Sequence, residues 1–275
     1  MFAALKSGLF LTLVILTSGL MAQSPEPLPW QQRDRKDMVP LEYEYQREAD
    51  VFWSKGIWRV IDTRQKMNKP FAYPQRPLIQ IIHEAAMHGL IKAYDPSVDY
   101  PDQFKKVMDS TAIANIGVTR DTGLQSNAIN NDIDDTVISF NPLQWERVTK
   151  YRIKEVWFFD QKTSSMQVRI LGIAPVMEYY DSKGTYLGDM LMYWVYYPDL
   201  RNILVKEEVF NPKNDWQHMS WDDLFTSRMF ESYIYKESNV YDRKITDYAS
   251  GVDAQLESDR IKQQIFETES DYWDN

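Results

Sequence analysis

Two short runs of the sequence contain residue types that bind metal ions. The first is HEAAMH, from His83 to His88, which resembles the zinc-protease pattern HExxH. That pattern places its histidines four residues apart so that both face one metal ion, whereas these two are five apart, about 140° around a helix. Met87 occupies the position of the second ligand. We therefore expect no zinc site in this run.

The second run is NNDIDD, Asn130–Asp135, which has the composition of a calcium-binding loop. An EF-hand loop needs glycine at its sixth position and glutamate at its twelfth. Counting from Asn130, these positions hold Asp135 and Asn141, and a frame that begins at Asp132 fails in the same way. An exposed acidic loop is the better interpretation.

The usual catalytic motifs are missing from the sequence, which contains no P-loop, no GxSxG and no GxGxxG. Without any cysteine it has no thiol nucleophile, disulfide or iron–sulfur ligand. A glycosidase needs only two well-placed carboxylates, and a single sequence does not exclude such a pair. We expect a protein with no catalytic residues, no cofactor and no metal, and we retain a periplasmic glycan-binding protein or glycan hydrolase as the alternative.

The first 22 residues have the pattern of a secretory signal peptide. Lys6 is the only charge before Glu26, an apolar run extends from Leu9 to Met21, and Ala22 is a small residue at a plausible cleavage point. We expect the mature chain to begin near Gln23 and to lie in the periplasm. Since no cysteine is present to carry a lipid, a partner would have to hold the protein at the inner face of the outer membrane.

The charge of the chain argues against nucleic acid as a partner. The full sequence carries a net charge of −9, and the mature chain, without Lys6, one negative charge more. Acidic proteins repel phosphate backbones.

Residues 23–40 contain four prolines and no glycine, which favours an extended arm over a packed element. Such an arm could reach roughly 50 Å at about 3.1 Å per residue. Trp30 lies within it and is a candidate anchor for a neighbouring protein. A disordered tether is the alternative.

The stretch from Glu42 to Asn68 has apolar residues that recur mostly at three- and four-residue steps, which predicts an amphipathic helix, centred on residues 50–69. On this helix a tryptophan and several cations would lie away from the core, while Arg64 would interrupt the apolar stripe. An ordinary helix with solvated lysines is the simpler interpretation. The candidate interface residues, besides Trp30, are Lys55, Trp58, Arg59 and Arg64.

The remaining pattern predicts an α+β fold, with N-terminal helices, a central antiparallel meander and C-terminal helices. A second helix is expected over 77–88 with Gly89 at its C-terminal end, and antiparallel strands within 151–197, where β-branched and aromatic residues dominate. Ser220 and Asp223 approximate a capping box before a helix of about 221–236. We expect a single domain over 41–245, loop-rich in 96–150, followed by an acidic C-terminal segment, 246–275.

Five stretches in the same order resemble the GldN/PorN family, which belongs to the gliding motility and type IX secretion machinery of the Bacteroidota. They cover about residues 42–245 and are VFWSKGIWRVIDTRQKMNKPFAYP, RPLIQIIHEAAMHGLIKAYDP, YRIKEVWFFD, RILGIAPVMEYYD and FESYIYKESNVYDRKI.

The resemblance implies a role without any catalytic residue. Family members associate with an outer-membrane lipoprotein, GldK/PorK, to form a large periplasmic ring, which the motor proteins GldL/GldM or PorL/PorM are thought to meet. The expectation is therefore a non-catalytic ring or scaffold subunit that associates with itself and with the lipoprotein.

Overall fold

The computed structural model describes residues 37–97, 101–126, 134–141, 143–181, 184–211 and 218–273. In these residues a central antiparallel sheet packs against α-helices, which confirms the predicted α+β class. The predicted signal peptide, and the arm as far as residue 36, lie outside the described residues. No described helix is both long enough and apolar enough to cross a bilayer.

The strands of the described chain differ widely in length, and the two longest, β5 and β6, form the middle of the sheet. They are β1 (Val51–Asp62), β2 (Ala93–Tyr94), β3 (Thr119–Ser126), β4 (Asp134–Asn141), β5 (Val148–Asp160), β6 (Ser165–Tyr180), β7 (Tyr186–Leu191), β8 (Trp194–Tyr196), β9 (Glu208–Val209), β10 (Met219–Ser220) and β11 (Tyr233–Glu237).

The α-helices of the described chain are short except for the last. They are α1 (Leu78–Met87), α2 (Ser110–Ala114), α3 (Tyr197–Leu204), α4 (Trp221–Thr226) and α5 (Val252–Trp273). Short 3-10 helices occur at Glu48–Asp50, Lys66–Ala72, Pro101–Gln103, Trp145–Arg147 and Ile245–Asp247.

The main sheet has the strand order β11-β1-β5-β6-β8-β2, and β7 pairs with the far end of β6. All these pairs are antiparallel, so β5, β6 and β7 form the predicted meander. Strands β3 and β4 form a separate hairpin, and β9 pairs with β10.

The prediction of a helix over residues 50–69 was wrong, because this stretch forms β1 and a following 3-10 turn. The stretch is rich in β-branched and aromatic residues, which favour strands, and Gly56 disfavours a helix interior. The spacing of apolar residues did not indicate a strand, because β1 lies between β5 and β11 and buries side chains on both faces of the sheet. Such a strand lacks the alternation of apolar and polar residues that marks a half-buried strand.

Three groups of buried side chains hold the sheet. The largest lies between the sheet and helices α1, α3 and α4, and contains Tyr151, Trp221 and Phe225. A second joins Ile57 of β1 to Ile261 and Ile265 of α5. The third lies on the other face, around Trp58, Ala174 and Trp194.

Helix α1 ends as predicted. Gly89 follows it with a φ of 69°, and the amides of Gly89 and Leu90 donate to the carbonyls of Ala86 and Ala85. This is a Schellman motif, which favours glycine because glycine adopts positive φ without strain.

Helix α4 begins at the predicted capping box of Ser220 and Asp223 but ends much earlier than predicted, at Thr226. The same Schellman pattern closes it, with Arg228 at a φ of 53° where glycine is usual. Because arginine gives no sequence signal for such a stop, the predicted helix ran on into residues that form β11.

Candidate protein-interaction surfaces

The structure describes four of the five predicted interface residues. These four do not form one surface. Lys55, Trp58 and Arg59 lie on β1, and Arg64 lies in the turn that follows it. Because successive side chains of a strand point to opposite faces, Lys55 and Arg59 share one face of the sheet and Trp58 lies on the other. Trp30 lies outside the described residues.

The Trp58 side chain is mostly buried, with 8% of its surface exposed. Its indole Nε1–H donates to Asp102 at 3.0 Å. The ammonium groups of Lys154 and Lys236 lie 5.5 and 4.6 Å from the ring. Trp58 therefore does lie beside cations, as the interface prediction required. These cations belong to the neighbouring strands β5 and β11, and most of the ring is buried within the fold.

Arg59 belongs to a charge cluster around the buried Glu155 that also contains the partly exposed Arg228. The Glu155 carboxylate is fully buried and accepts hydrogen bonds from Nη1 and Nη2 of Arg228, at 2.9 and 3.3 Å. Arg59 approaches the same carboxylate at 3.4 Å, and the Trp157 Nε1–H donates to it at 3.0 Å. We call Arg59, Glu155 and Arg228 the buried triad.

The buried triad contains two cations and one anion. Burial lowers the pKa of Arg59, the charge of Glu155 opposes this, and the nearby charge of Arg228 adds to it. Arg59 Nη1 also donates to the hydroxyl of Ser232 at 2.9 Å, which ties β1 to the loop before β11. Glu155 is thus the only counter-charge that the described residues offer to both arginines of the triad.

Lys55 and Arg64 form ion pairs closer to the solvent. Lys55 pairs with Glu237 of β11 at 2.6 Å. Arg64, whose side chain is 60% exposed, donates to both oxygens of Asp62 and lies 3.5 Å from Glu178. The predicted position of Arg64 within an apolar helical stripe was wrong, since the residue belongs to a turn.

A second buried ion pair fixes the segment that precedes β1. Arg201 of α3 pairs with Asp222 of α4 at 2.8 Å and donates to the carbonyl of Leu41 at 2.7 Å. The ring of Tyr43 lies 4.2 Å from the guanidinium carbons of both Arg169 and Arg201. The chain is therefore fixed to α3 at Leu41 and Tyr43, so any arm formed by residues 23–40 starts from a defined point.

An apolar surface groove of about 960 Å³ lies beside the turn after β1. Its exposed apolar side chains are Met67, Phe210 and Met229, and Phe210 stacks on Tyr73 with ring centroids 4.3 Å apart. We call this cavity the methionine groove. The described residues that line it are Thr63, Lys66, Met67, Lys69, Pro70, Ala72, Tyr73, Pro74, Val209, Phe210, Asn211, Met219, Leu224, Met229 and Glu231.

Helix α5 has a second apolar surface in addition to the one that packs on the sheet. Ile261 and Ile265 are buried, whereas Val252, Leu256 and Phe266 are 69%, 62% and 65% exposed. At 100° per residue these three exposed residues lie within about 80° of one another, roughly opposite the buried isoleucines, and the exposed Asp259 and Gln263 lie in the same arc between Leu256 and Phe266. We call Val252, Leu256 and Phe266 the outer stripe of α5.

Of the two runs that resemble metal-binding motifs, the structure describes HEAAMH in full and NNDIDD only in part. His83 is largely buried, and its Nδ1 lies 3.3 Å from the Tyr193 hydroxyl. Within the described ranges no group of three or more His, Cys, Asp or Glu residues could hold a metal ion. Most of the NNDIDD run lies outside those ranges.

Comparison with protein families gives one match, to the family described as gliding motility associated protein GldN, over residues 46–274. The chain belongs to the GldN family. The match extends from just before β1 to the end of α5, so it covers every strand of the sheet and the whole of α5. It confirms the resemblance seen in the sequence and makes the chain a gliding-motility-associated protein. Comparison with curated proteins gives no match.

In this GldN-family chain, sequence reasoning missed Glu155, Arg228, Asp222 and the methionine groove. Glu155 gave a signal that could have been used, because it is a charged residue within the strand pattern YRIKEVWFFD. A carboxylate at a core position of a strand requires a cationic partner. The identity of that partner could not be read from the sequence, because Arg228 lies 73 residues further along the chain.

Proposed function

We propose that this GldN-family protein is a non-catalytic, periplasmic ring or scaffold subunit of the type IX secretion and gliding motility machinery. The family match over residues 46–274 carries the proposal, because it spans the whole described sheet and not one motif. The subunit associates with itself and with the outer-membrane lipoprotein GldK/PorK, and the assembly meets the motor proteins GldL/GldM or PorL/PorM.

Two separate apolar surfaces support a role in assembly. The methionine groove and the outer stripe of α5 each expose several large apolar side chains, and such patches often mark protein contacts. A subunit in a closed or linear array needs at least two surfaces, one for each neighbour.

The alternative, a glycan-binding protein or glycan hydrolase, would need a cleft with stacked aromatic rings and, for hydrolysis, two carboxylates about 5–10 Å apart. Among the described residues that line the methionine groove only Glu231 carries a carboxylate, and Tyr73 and Phe210 stack on each other. A smaller cavity of about 330 Å³, lined by Tyr43, Tyr197 and Arg228 among others, has no carboxylate among its described lining residues. We therefore favour the scaffold role.

Purification from detergent-solubilised outer membranes tests the proposal. A tagged chain should elute in a high-mass complex that contains the lipoprotein, and in cells that lack the lipoprotein it should move to the soluble periplasmic fraction. A monomer without the lipoprotein, or membrane association that persists without it, would contradict the proposal.

The expected export can be tested separately by mass spectrometry of the N-terminus of the purified protein. A first residue near Gln23 is expected, because Ala22 offers the cleavage point. Recovery of a chain that retains residues 1–22 would refute cleavage.

A further inference from the structure

We propose that the outer stripe of α5 of one copy docks into the methionine groove of a second copy. The contact would supply the self-association in the proposed function and to that extent rests on it. Both surfaces belong to this chain, and apolar match, charge and geometry each favour the pairing.

The apolar match comes from large side chains on both surfaces. The outer stripe presents Phe266 and Leu256 ten residues apart on a helix, a separation of about 15 Å. The groove presents Met67 and Met229, flexible side chains that adapt their shape to an inserted ring. Insertion of an exposed helix face into an apolar groove is a common mode of protein recognition.

The charges of the two surfaces are opposite. Lys66 and Lys69 border the groove, both are exposed, and neither forms an ion pair with another residue of the described chain. Helix α5 carries six carboxylates and two cations; Asp259 lies within the arc of the outer stripe, between Leu256 and Phe266, and Glu267 lies at its edge. A helix with net charge −4 approaching two unpaired lysines gives electrostatic complementarity, which steers and orients association.

The geometry separates the Phe266 end of α5 from the groove of its own chain, whereas the Leu256 end lies beside β11, where Ser258 accepts a hydrogen bond from the Ile234 amide. Phe52 at the start of β1 contacts Tyr272 near the end of α5, with ring centroids 5.2 Å apart. Thr63, directly after β1, lines the groove. Eleven strand residues separate these points by roughly 35 Å, so the Phe266 end of α5 lies far from the groove of its own chain.

Such a contact is heterologous, because each copy uses one surface for one neighbour and the other surface for the next. Repetition then produces a ring or an open filament, depending on the rotation between copies. A contact between two identical patches would instead stop at a dimer.

The first experiment measures self-association of the purified chain by sedimentation velocity over a range of concentrations. Phe266→Asp in the stripe and Met67→Asp in the groove should each weaken association about 100-fold, because each places a charge in an apolar contact. Gln264→Asp is the matched control, since it adds the same charge at an exposed position of α5 about 120° from the centre of the stripe. It should associate as the wild type does.

Mixing the two variants gives the decisive result. A Phe266→Asp copy retains its groove and a Met67→Asp copy retains its stripe, so the mixture should form a one-to-one dimer and nothing larger. Two variants that stay monomeric when mixed would overturn the proposal, as would either variant that assembles like the wild type.

Because the chain has no cysteine, introduced cysteines give a second readout that does not depend on weakened folding. Glu267→Cys, beside Phe266, and Met229→Cys in one chain, treated with a short bismaleimide, should give a ladder of linked copies on a denaturing gel. Cross-links within single chains only, or no cross-links, would overturn the proposal.

These results are distinguishable from failure of the proposed function. Loss of the ladder with the lipoprotein still bound in cells would overturn the contact alone. An intact ladder in a protein that never co-purifies with the lipoprotein would overturn the secretion role alone.

Discussion

Replacing Glu155 with glutamine should lower the free energy of unfolding by about 3–5 kcal/mol. Glu155 is fully buried and is the shared partner of Arg59 and Arg228. Glutamine keeps the shape but loses the negative charge, so Arg59, which is 10% exposed, remains buried without a counter-charge. The loss of this counter-charge destabilises Arg228 less, because its side chain is 30% exposed and water can solvate it.

Thermal and urea unfolding would measure the effect. For a chain of this size each kcal/mol shifts the melting temperature by about 2–4 °C, so a decrease of about 6–20 °C is expected. Asp259→Asn is the matched control, because it removes the carboxylate of an exposed pair with Lys262 and should cost at most about 1 kcal/mol.

A double variant separates the buried charge from the packing. Arg59→Met with Glu155→Leu removes both charges and keeps apolar volume, so it should be more stable than Glu155→Gln alone. A loss of less than about 1 kcal/mol in Glu155→Gln would refute the reasoning, as would a double variant less stable than the single one.

Three further predictions concern Arg64, His83 and the arm. Arg64→Ala should cost at most about 1 kcal/mol in urea unfolding, because Arg64 is exposed and Asp62 keeps contact with water; a loss of several kcal/mol would contradict this. Burial lowers the pKa of His83, so the unfolded chain binds its proton more readily and stability falls as pH drops below the unfolded value of about 6.5. Melting temperatures between pH 7 and pH 5 should therefore fall less in His83→Phe than in the wild type, and equal slopes would exclude His83 as a cause. Deletion of residues 23–40 should leave the melting temperature near that of the wild type, since Tyr43 and Leu41 still anchor the chain, but should weaken assembly and secretion. Trp30→Ala should reproduce much of that loss, with Trp30→Phe as a milder control, and normal secretion by the truncated protein would leave the arm as a tether.

Local sequence signals were sufficient for several elements of the fold. The enrichment of β-branched and aromatic residues from Tyr151 predicted the antiparallel strands that the structure contains, because strand formation here agrees with the propensity of nearly every residue. Gly89 correctly predicted the C-terminus of α1, and the pair Ser220–Asp223 correctly predicted the N-terminus of α4. Each signal acts on backbone groups within a few residues. Five stretches were also sufficient to recognise the family.

Only the tertiary structure decided what depends on distant partners. Residues 51–62 became a strand because β5 and β11 supply hydrogen bonds on both sides, which no local pattern reports. Arg228 ends α4 with a positive φ, a backbone conformation that usually requires glycine. Its side chain is held by hydrogen bonds to Glu155, which lies 73 residues away in the sequence. The methionine groove combines residues between 63 and 74 with residues from 209–211 and 219–231, so it exists only after the chain has folded. The sequence by itself determined the family and the locally encoded elements, whereas the buried charges and surfaces were set by contacts between residues far apart in the chain.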